Sequence, residues 1–233
     1  MTRYPRDSHD LVNRQILAIG GGSTPEPVRE HLLALTGKER PRILLVPTAS
    51  GEDAAQTLRI YDAYAGRADL SRVDFFPWPP EGLLDFTLGH DLILVGGGNT
   101  ANMLAIWRVH GFDDILREAY EQGILLAGSS AGMICWFEAG VTDSFGPALS
   151  GLRDGLGLLA GSACPHYDDE EHRRPTYRRL VDEEGFPAGY AADSGVGLHF
   201  VDGEVAEVLT AREEARAYRV ERGREEALPA RLL

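Results

Sequence analysis

Between residues 15 and 140, short apolar runs alternate with longer stretches in which apolar and polar residues follow a helical period. Continuous apolar runs bounded by glycine or proline are typical of buried parallel strands, and the amphipathic stretches between them are typical of covering helices. The alternation therefore predicts an α/β fold, in which helices cover both faces of a mostly parallel central sheet. Strands are predicted at residues 15–19, 42–46, 73–76, 91–95 and 124–127.

The last third of the chain has a different pattern, with short apolar segments separated by turns. These segments predict extra strands at the C-terminal end, and Asp202-Gly203 between two of them is a hairpin signal. No linker or internal repeat interrupts the chain, so we expect a single domain over residues 1–233 that begins with a polar arm at 1–14. The extra strands are predicted at 189–193, 196–201, 205–209 and 217–220, and helices at 25–35, 52–67, 103–107, 112–122, 133–137 and 175–184.

Three of the predicted strands end in glycine-rich turns, at residues 20–24, 96–100 and 128–132. Ligands of open α/β sheets bind beyond the carboxyl ends of the strands. If the first, fourth and fifth strands are neighbours, the three turns gather at one rim. Glycines there let backbone N–H groups approach a ligand closely.

The third of these turns reads Gly128-Ser129-Ser130-Ala131-Gly132, which is a G-x-S-x-G pattern. A strand, a sharp glycine-flanked turn and a helix would lift the hydroxyl of Ser130, the middle residue, out of the fold as a nucleophile. The alternative is a plain glycine-rich turn. Only Ser130, and not Ser129, has the central position with small residues on the helix side.

A serine nucleophile needs a base, and His166 is the best candidate among seven histidines. Pro165 and Tyr167 flank it and would restrict its backbone and side chain, although a structural loop histidine remains the alternative. Asp168 and Asp169 lie too close to it along the chain to be obvious partners. The other histidines are expected to be structural or solvated: His9, His31, His90, His110, His172 and His199.

The carboxylate that would orient the base is left open between Asp193 and Asp143, because both also fit turns in which aspartate caps the backbone. Oxyanion stabilisation needs preorganised donors. The N–H group of Ala131, next after the nucleophile, is the first candidate, and the loop 96–99 is the second. That loop lacks a full G-x-G-x-x-G followed by an acidic residue, so a dinucleotide site is weakly supported.

Charge and composition exclude several classes of protein. With 36 acidic and 23 basic residues the net charge is −13, which argues against a nucleic-acid surface. Two cysteines, Cys135 and Cys164, form neither a disulfide framework nor a metal motif, and no metal or cofactor is expected. No apolar run suits a membrane span and the N-terminus lacks a signal-peptide core, so a cytoplasmic location is expected.

The segments 95–100, 128–132 and 165–167, in this order and spacing, resemble the peptidase E family of S51 serine peptidases. The resemblance covers residues 15–200 and implies a flavodoxin-like fold related to class I glutamine amidotransferases. It implies the nucleophile Ser130, the base His166 and the orienting acid Asp193, with Asp143 as the alternative. Gly98 and Ala131 would supply the oxyanion donors.

The resemblance further implies a serine exopeptidase that cleaves short peptides through an acyl-enzyme. Aspartyl dipeptidases of that family bind an N-terminal aspartate with an arginine downstream of the histidine. Arg173 is the nearest match in this sequence, although the acids at 168–171 precede it. Asn99 and Tyr167 are the other expected substrate contacts. A cyanophycinase-like hydrolase of β-Asp-Arg units and an inactive binding module remain alternatives, and a homodimer is compatible with such a fold.

Overall fold

The computed structural model describes residues 13–233, so most of the predicted N-terminal arm, with His9, lies outside the described residues. Two sheets organise the chain. The larger sheet has eight strands, and its β1, β5, β4, β2 and β3 pair in parallel. In spatial order it consists of β14 (Arg231–Leu232), β11 (Glu204–Thr210), β10 (Gly197–Val201), β1 (Gln15–Ile19), β5 (Leu125–Ser129), β4 (Leu92–Val95), β2 (Arg42–Val46) and β3 (Asp69–Arg72).

The smaller sheet has six strands and packs against one face of the larger sheet. In spatial order it consists of β13 (Arg224–Ala227), β12 (Ala217–Glu221), β9 (Gly189–Ala192), β8 (Leu159–Cys164), β6 (Phe137–Thr142) and β7 (Ser150–Leu152). The helices are α1 (Glu26–Leu35), α2 (Ala54–Tyr64), α3 (Leu83–Leu88), α4 (Thr100–His110), α5 (Phe112–Glu121), α6 (Ala131–Ile134) and α7 (Arg173–Glu183).

Both faces of the four central parallel strands, β1, β5, β4 and β2, are buried, which explains their continuous apolar sequences. Successive side chains of a strand point to opposite faces. In β1, Leu17 packs in a core with α1 and α2, whereas Ile16 packs in a core with α4, α5 and residues of the smaller sheet. The predicted α/β fold with covered faces is confirmed, and β1, β5 and β4 are adjacent, so the three glycine-rich turns meet at one rim.

Two predicted elements are wrong. The run 133–137 is not a continuing helix, because α6 ends at Ile134 and β6 begins at Phe137 in the smaller sheet. The apolar run alone did not separate a buried helix from a buried strand. The third strand lies at Asp69–Arg72 and not at 73–76, because β2 pairs with that more polar segment. Val73 and Phe75 are buried beyond the strand end.

Candidate active site

Ser130 stands between β5 and α6 in a strained backbone conformation, with φ 60° and ψ −112°. Such a conformation costs a non-glycine residue on the order of 1–3 kcal/mol and persists only where neighbouring structure enforces it. The Ser130 N–H donates to the Ile19 carbonyl at 3.2 Å, which ties the turn to β1. A side chain at Gly128 or Gly132 would overlap a backbone carbonyl, of Gly132 or Val95 respectively. The G-x-S-x-G pattern is therefore required by close packing around a sharp turn.

His166 approaches Ser130 from the segment that follows β8. The backbone N–H of His166 donates to the Gly20 carbonyl at 2.6 Å, and the ring nitrogen Nε2 lies 3.0 Å from the Ser130 Oγ. The imidazole passes so close to Gly21 that a side chain there would overlap the ring. The first glycine-rich turn therefore makes room for the imidazole, and the two residues predicted as nucleophile and base lie within hydrogen-bond distance.

The other ring nitrogen of His166, Nδ1, faces Ser194 and two acids. It lies 3.2 Å from the Ser194 Oγ, 3.5 Å from an Asp169 oxygen and 3.9 Å from a Glu170 oxygen. Ser194 in turn donates to Asp169 at 2.7 Å. The sequence interpretation set Asp169 aside because of its closeness to His166 along the chain. His166 has a φ of 56°, and the turn that begins there returns Asp169 to the imidazole.

Asp193 does not contact His166, so the structure does not support it as the orienting acid. Its side chain accepts the Arg216 N–H at 2.7 Å, and its own N–H donates to the Arg216 carbonyl at 3.0 Å. Burial raises the pKa of Asp193 to about 6. Asp143 is also away from the imidazole, in an exposed turn after β6. The adjacent residue, Ser194, reaches the imidazole in place of Asp193.

Backbone N–H groups on both sides of Ser130, in the turn that contains it and in the Gly96–Gly98 loop, are the candidate oxyanion donors. The N–H groups of Ala131, Gly97 and Gly98 have no acceptor among residues 13–233. The Gly96–Gly98 loop borders the serine, since a side chain on Gly97 would stand 3.2 Å from the Ser130 Cβ. Gly98 has a φ of 140° and packs on the Ala49 carbonyl. The predicted oxyanion role of Gly98 and Ala131 remains a prediction that this arrangement allows.

A cavity of about 480 Å³ opens beside the Ser130 and His166 side chains. Its walls include Arg29, Arg59 and Gln56, and none of its described lining residues is acidic, although the chain carries a net charge of −13. Arg59 is exposed and forms no ion pair within residues 13–233. The Gln56 Oε1 is buried and has no hydrogen-bond donor in the same part of the chain. The cavity thus offers cationic groups and an unused acceptor.

The three residues predicted to contact substrate lie outside this cavity. Arg173 is only 3% exposed and is held by Glu170 at 2.6 Å and the Val141 carbonyl at 2.7 Å. Tyr167 is buried and donates to Glu225, and Asn99 caps the N-terminus of α4. Each of these three side chains has a partner within the fold, and their expected substrate contacts stay predictions. No sequence pattern indicated Arg59 and Gln56, which line the cavity, because both lie on α2, far from every motif along the chain.

Both cysteines, and His31 and His199 among the other histidines considered in the sequence, are buried or half-buried in the described part of the chain. Cys135 and Cys164 are buried and unpaired, and burial raises the pKa of each thiol. The donor atoms of His31, His199 and Glu207 lie within 4.8 Å of one another, a spacing that could hold a metal ion. Arg231 already binds this carboxylate at 2.9 Å, so the cluster resembles an ion-pair network. No described helix is long and apolar enough to cross a bilayer.

Comparisons with known proteins identify the family of the chain. The sequence profile of Peptidase family S51 matches residues 16–208. The uncharacterized peptidase YgaJ of Bacillus subtilis (strain 168) is 45% identical over 213 residues, which cover 89% of this chain and 92% of YgaJ. The fold and these matches define an α/β peptidase. The chain belongs to Peptidase family S51.

Solved structures show the same fold at low sequence identity. A peptidase from an acI-B1 Actinobacterium has a TM-score of 0.66 at 15% identity and covers 93% of this chain and 94% of its own. A putative peptidase E protein from Listeria monocytogenes EGD-e has a TM-score of 0.61 at 16% identity and covers 90% of this chain and 100% of its own. The flavodoxin-like, amidotransferase-like architecture predicted from the sequence is thereby confirmed.

Proposed function

We propose that this chain is a serine exopeptidase that hydrolyses short peptides through an acyl-enzyme. The observation that carries the proposal is the 3.0 Å distance between the His166 Nε2 and the Ser130 Oγ, at a strained turn that opens into a cavity. A serine hydroxyl is a weak nucleophile until a neighbouring base accepts its proton. This geometry suits that transfer, and the rigid turn holds the hydroxyl in place while it occurs.

In the proposed reaction, the Ser130 Oγ attacks the scissile carbonyl while His166 accepts the hydroxyl proton. The N–H groups of Ala131 and Gly98 stabilise the negative oxygen of the tetrahedral intermediate. His166 then donates the proton to the leaving amine, which leaves an ester on Ser130. Water, deprotonated by His166, hydrolyses the ester and regenerates the hydroxyl.

We further propose that the substrate carries a carboxylate near the cleaved bond, as an N-terminal aspartate would. Arg59 supports this substrate preference, because its guanidinium forms no ion pair in the described structure and faces a cavity whose described lining contains no acidic residue. A guanidinium can bind a carboxylate through two parallel hydrogen bonds. The buried Gln56 Oε1 can accept a hydrogen bond from a substrate N–H group, which would remove the cost of leaving that oxygen unpaired.

Ser130→Ala tests the nucleophile. The variant is expected to lose hydrolysis of a dipeptide panel by at least about 1,000-fold and to lose labelling by a fluorophosphonate, because the attacking oxygen is gone. Ser71→Ala, on the edge strand β3 away from the cavity, serves as the control and should label like the original protein. Undiminished hydrolysis by pure Ser130→Ala would end the proposal, and failure of the original protein to label or hydrolyse would favour a binding module.

Arg59→Gln tests the substrate preference. For dipeptides with N-terminal aspartate we expect KM to rise about 10- to 100-fold, because a charge-assisted hydrogen bond is worth about 1.5–3 kcal/mol. For matched dipeptides with N-terminal alanine, KM should stay within about twofold. Arg222→Gln, an exposed arginine outside the cavity, is the charge-matched control. Equal changes for both peptide classes would contradict the assignment.

A further inference from the structure

We infer that Ser194 and Asp169 act together as the group that positions His166, in the place where a serine peptidase usually has a single carboxylate. This inference rests on the proposed function. A base of this kind must carry its proton on Nδ1, so that Nε2 is free to accept the proton of the nucleophile. The partners of Nδ1 therefore decide whether the imidazole is ready to react.

The proton arrangement follows from the donors and acceptors present. A serine hydroxyl has one proton, and Asp169, as a carboxylate, can only accept. Ser194 must therefore donate to Asp169, at 2.7 Å, and it offers a lone pair to the His166 Nδ1 at 3.2 Å. This lone pair selects the tautomer with a proton on Nδ1. Without the carboxylate, the hydroxyl could turn its own proton toward the ring and favour the opposite tautomer.

Neither Asp169 nor Ser194 is sufficient by itself to orient the His166 ring. The Asp169 side chain is about half exposed and lies 3.5 Å from Nδ1, so its direct ion pair with the imidazolium is weakened by solvent. Ser194 makes the shorter contact but carries no charge. Because the Ser194 hydroxyl donates to the Asp169 carboxylate, it can only accept a hydrogen bond from the ring, and the carboxylate thereby fixes the proton on Nδ1. Asp169 and Glu170 also stabilise the positive charge that His166 acquires during the reaction.

A second set of contacts fixes Ser194 itself. The Ser194 N–H donates to Asp168 at 2.7 Å, and Arg212 binds both Asp168 at 2.8 Å and the Ser194 carbonyl at 2.9 Å. Burial alone would raise the pKa of Asp168, but the hydrogen bonds from Arg212 and from the Ser194 backbone lower it below its ordinary value. The backbone of Ser194 is thus held on both sides, and its hydroxyl stays at the imidazole.

The test compares Ser194→Ala, Asp169→Asn and the double variant. We expect each single variant to lower kcat about 10- to 1,000-fold with little change in KM, and the double variant to be no slower than the slower single one, because the two residues act as a unit. Glu171→Gln removes a negative charge from the same segment and is the control. Single effects that multiply in the double variant, or an equal loss in Glu171→Gln, would overturn the inference.

A readout without turnover separates this inference from the proposed function. In ¹⁵N-labelled protein, the His166 signals should show a proton on Nδ1, and either single variant should shift the population toward the Nε2–H tautomer. An unchanged tautomer in folded Ser194→Ala and Asp169→Asn proteins would refute the positioning role. If the unaltered protein shows the Nδ1–H tautomer but no fluorophosphonate labelling, the proposed function fails while the positioning contacts stand.

Discussion

At the scale of single residues, the neighbours Asp193 and Ser194 divide two tasks. Asp193 is 5% exposed and bonds the Arg216 backbone, which joins its turn to β12, whereas Ser194 reaches the base. Burying a carboxylate disfavours its charged form, and the pKa of Asp193 rises to about 6 accordingly. Asp193, which the sequence presents as a candidate catalytic acid, is therefore a carboxyl group whose ionisation lowers the stability of the fold at neutral pH.

Asp193→Asn should separate these tasks. Because the folded protein binds the Asp193 proton more tightly than the unfolded chain, the contribution of this group to stability is present below pH 4 and is lost as pH rises through about 6. Asparagine lacks this loss, so the free energy of unfolding of the variant relative to the original should rise by about 1–3 kcal/mol between pH 4 and 7.

Urea unfolding at the two pH values measures this difference, and kcat at pH 7 should stay within about twofold because Asp193 does not contact His166. A pH-independent difference in stability would show that Asp193 is not held with a raised pKa. A loss of kcat like that of Ser194→Ala would restore Asp193 to the catalytic group.

At the scale of elements, the sequence predicts well those strands whose two faces are buried. Strands β1 and β2 have the predicted bounds. Both faces of these strands are buried, so nearly all of their side chains must be apolar. The prediction fails where pairing outweighs composition, as in β3, and where an apolar run is too short to show a period, as at 133–137. The three glycine-rich turns were predictable because they follow adjacent parallel strands.

The residues of the candidate site also fall into two groups, those that local sequence indicates and those that it does not. Ser130 and His166 could be found because a tight turn and a proline-flanked loop leave local signals. Ser194, Asp169 and Arg59 could not, since their roles depend on distances set by folding: a φ of 56° at His166 brings Asp169 back, and packing of α2 turns Arg59 toward the cavity. Local spacing, which set Asp169 aside, is a poor guide where a residue has positive φ.

At the scale of the whole molecule, the two sheets share one apolar core, and the site takes residues from both sides of it. Ser130 follows a strand of the larger sheet, whereas His166 follows a strand of the smaller one. Phe200 of the larger sheet packs edge-on against Phe137 and Tyr190 of the smaller sheet, with ring centroids 5.6 and 5.3 Å apart. The Ser130–His166 distance therefore depends on contacts between the sheets.

Phe200→Ala should consequently weaken fold and site together. Phe200 is 1% exposed, and removing a buried phenylalanine side chain costs about 3–5 kcal/mol. We expect urea transitions followed by circular dichroism and by fluorophosphonate labelling to shift to lower urea by the same amount and to remain coincident, as for a single domain. Phe145→Ala, at a residue 68% exposed, should change the free energy of unfolding by less than about 0.5 kcal/mol. Labelling lost well before circular dichroism would instead show that the sheets separate as independent units and that residues 1–233 do not unfold as one domain.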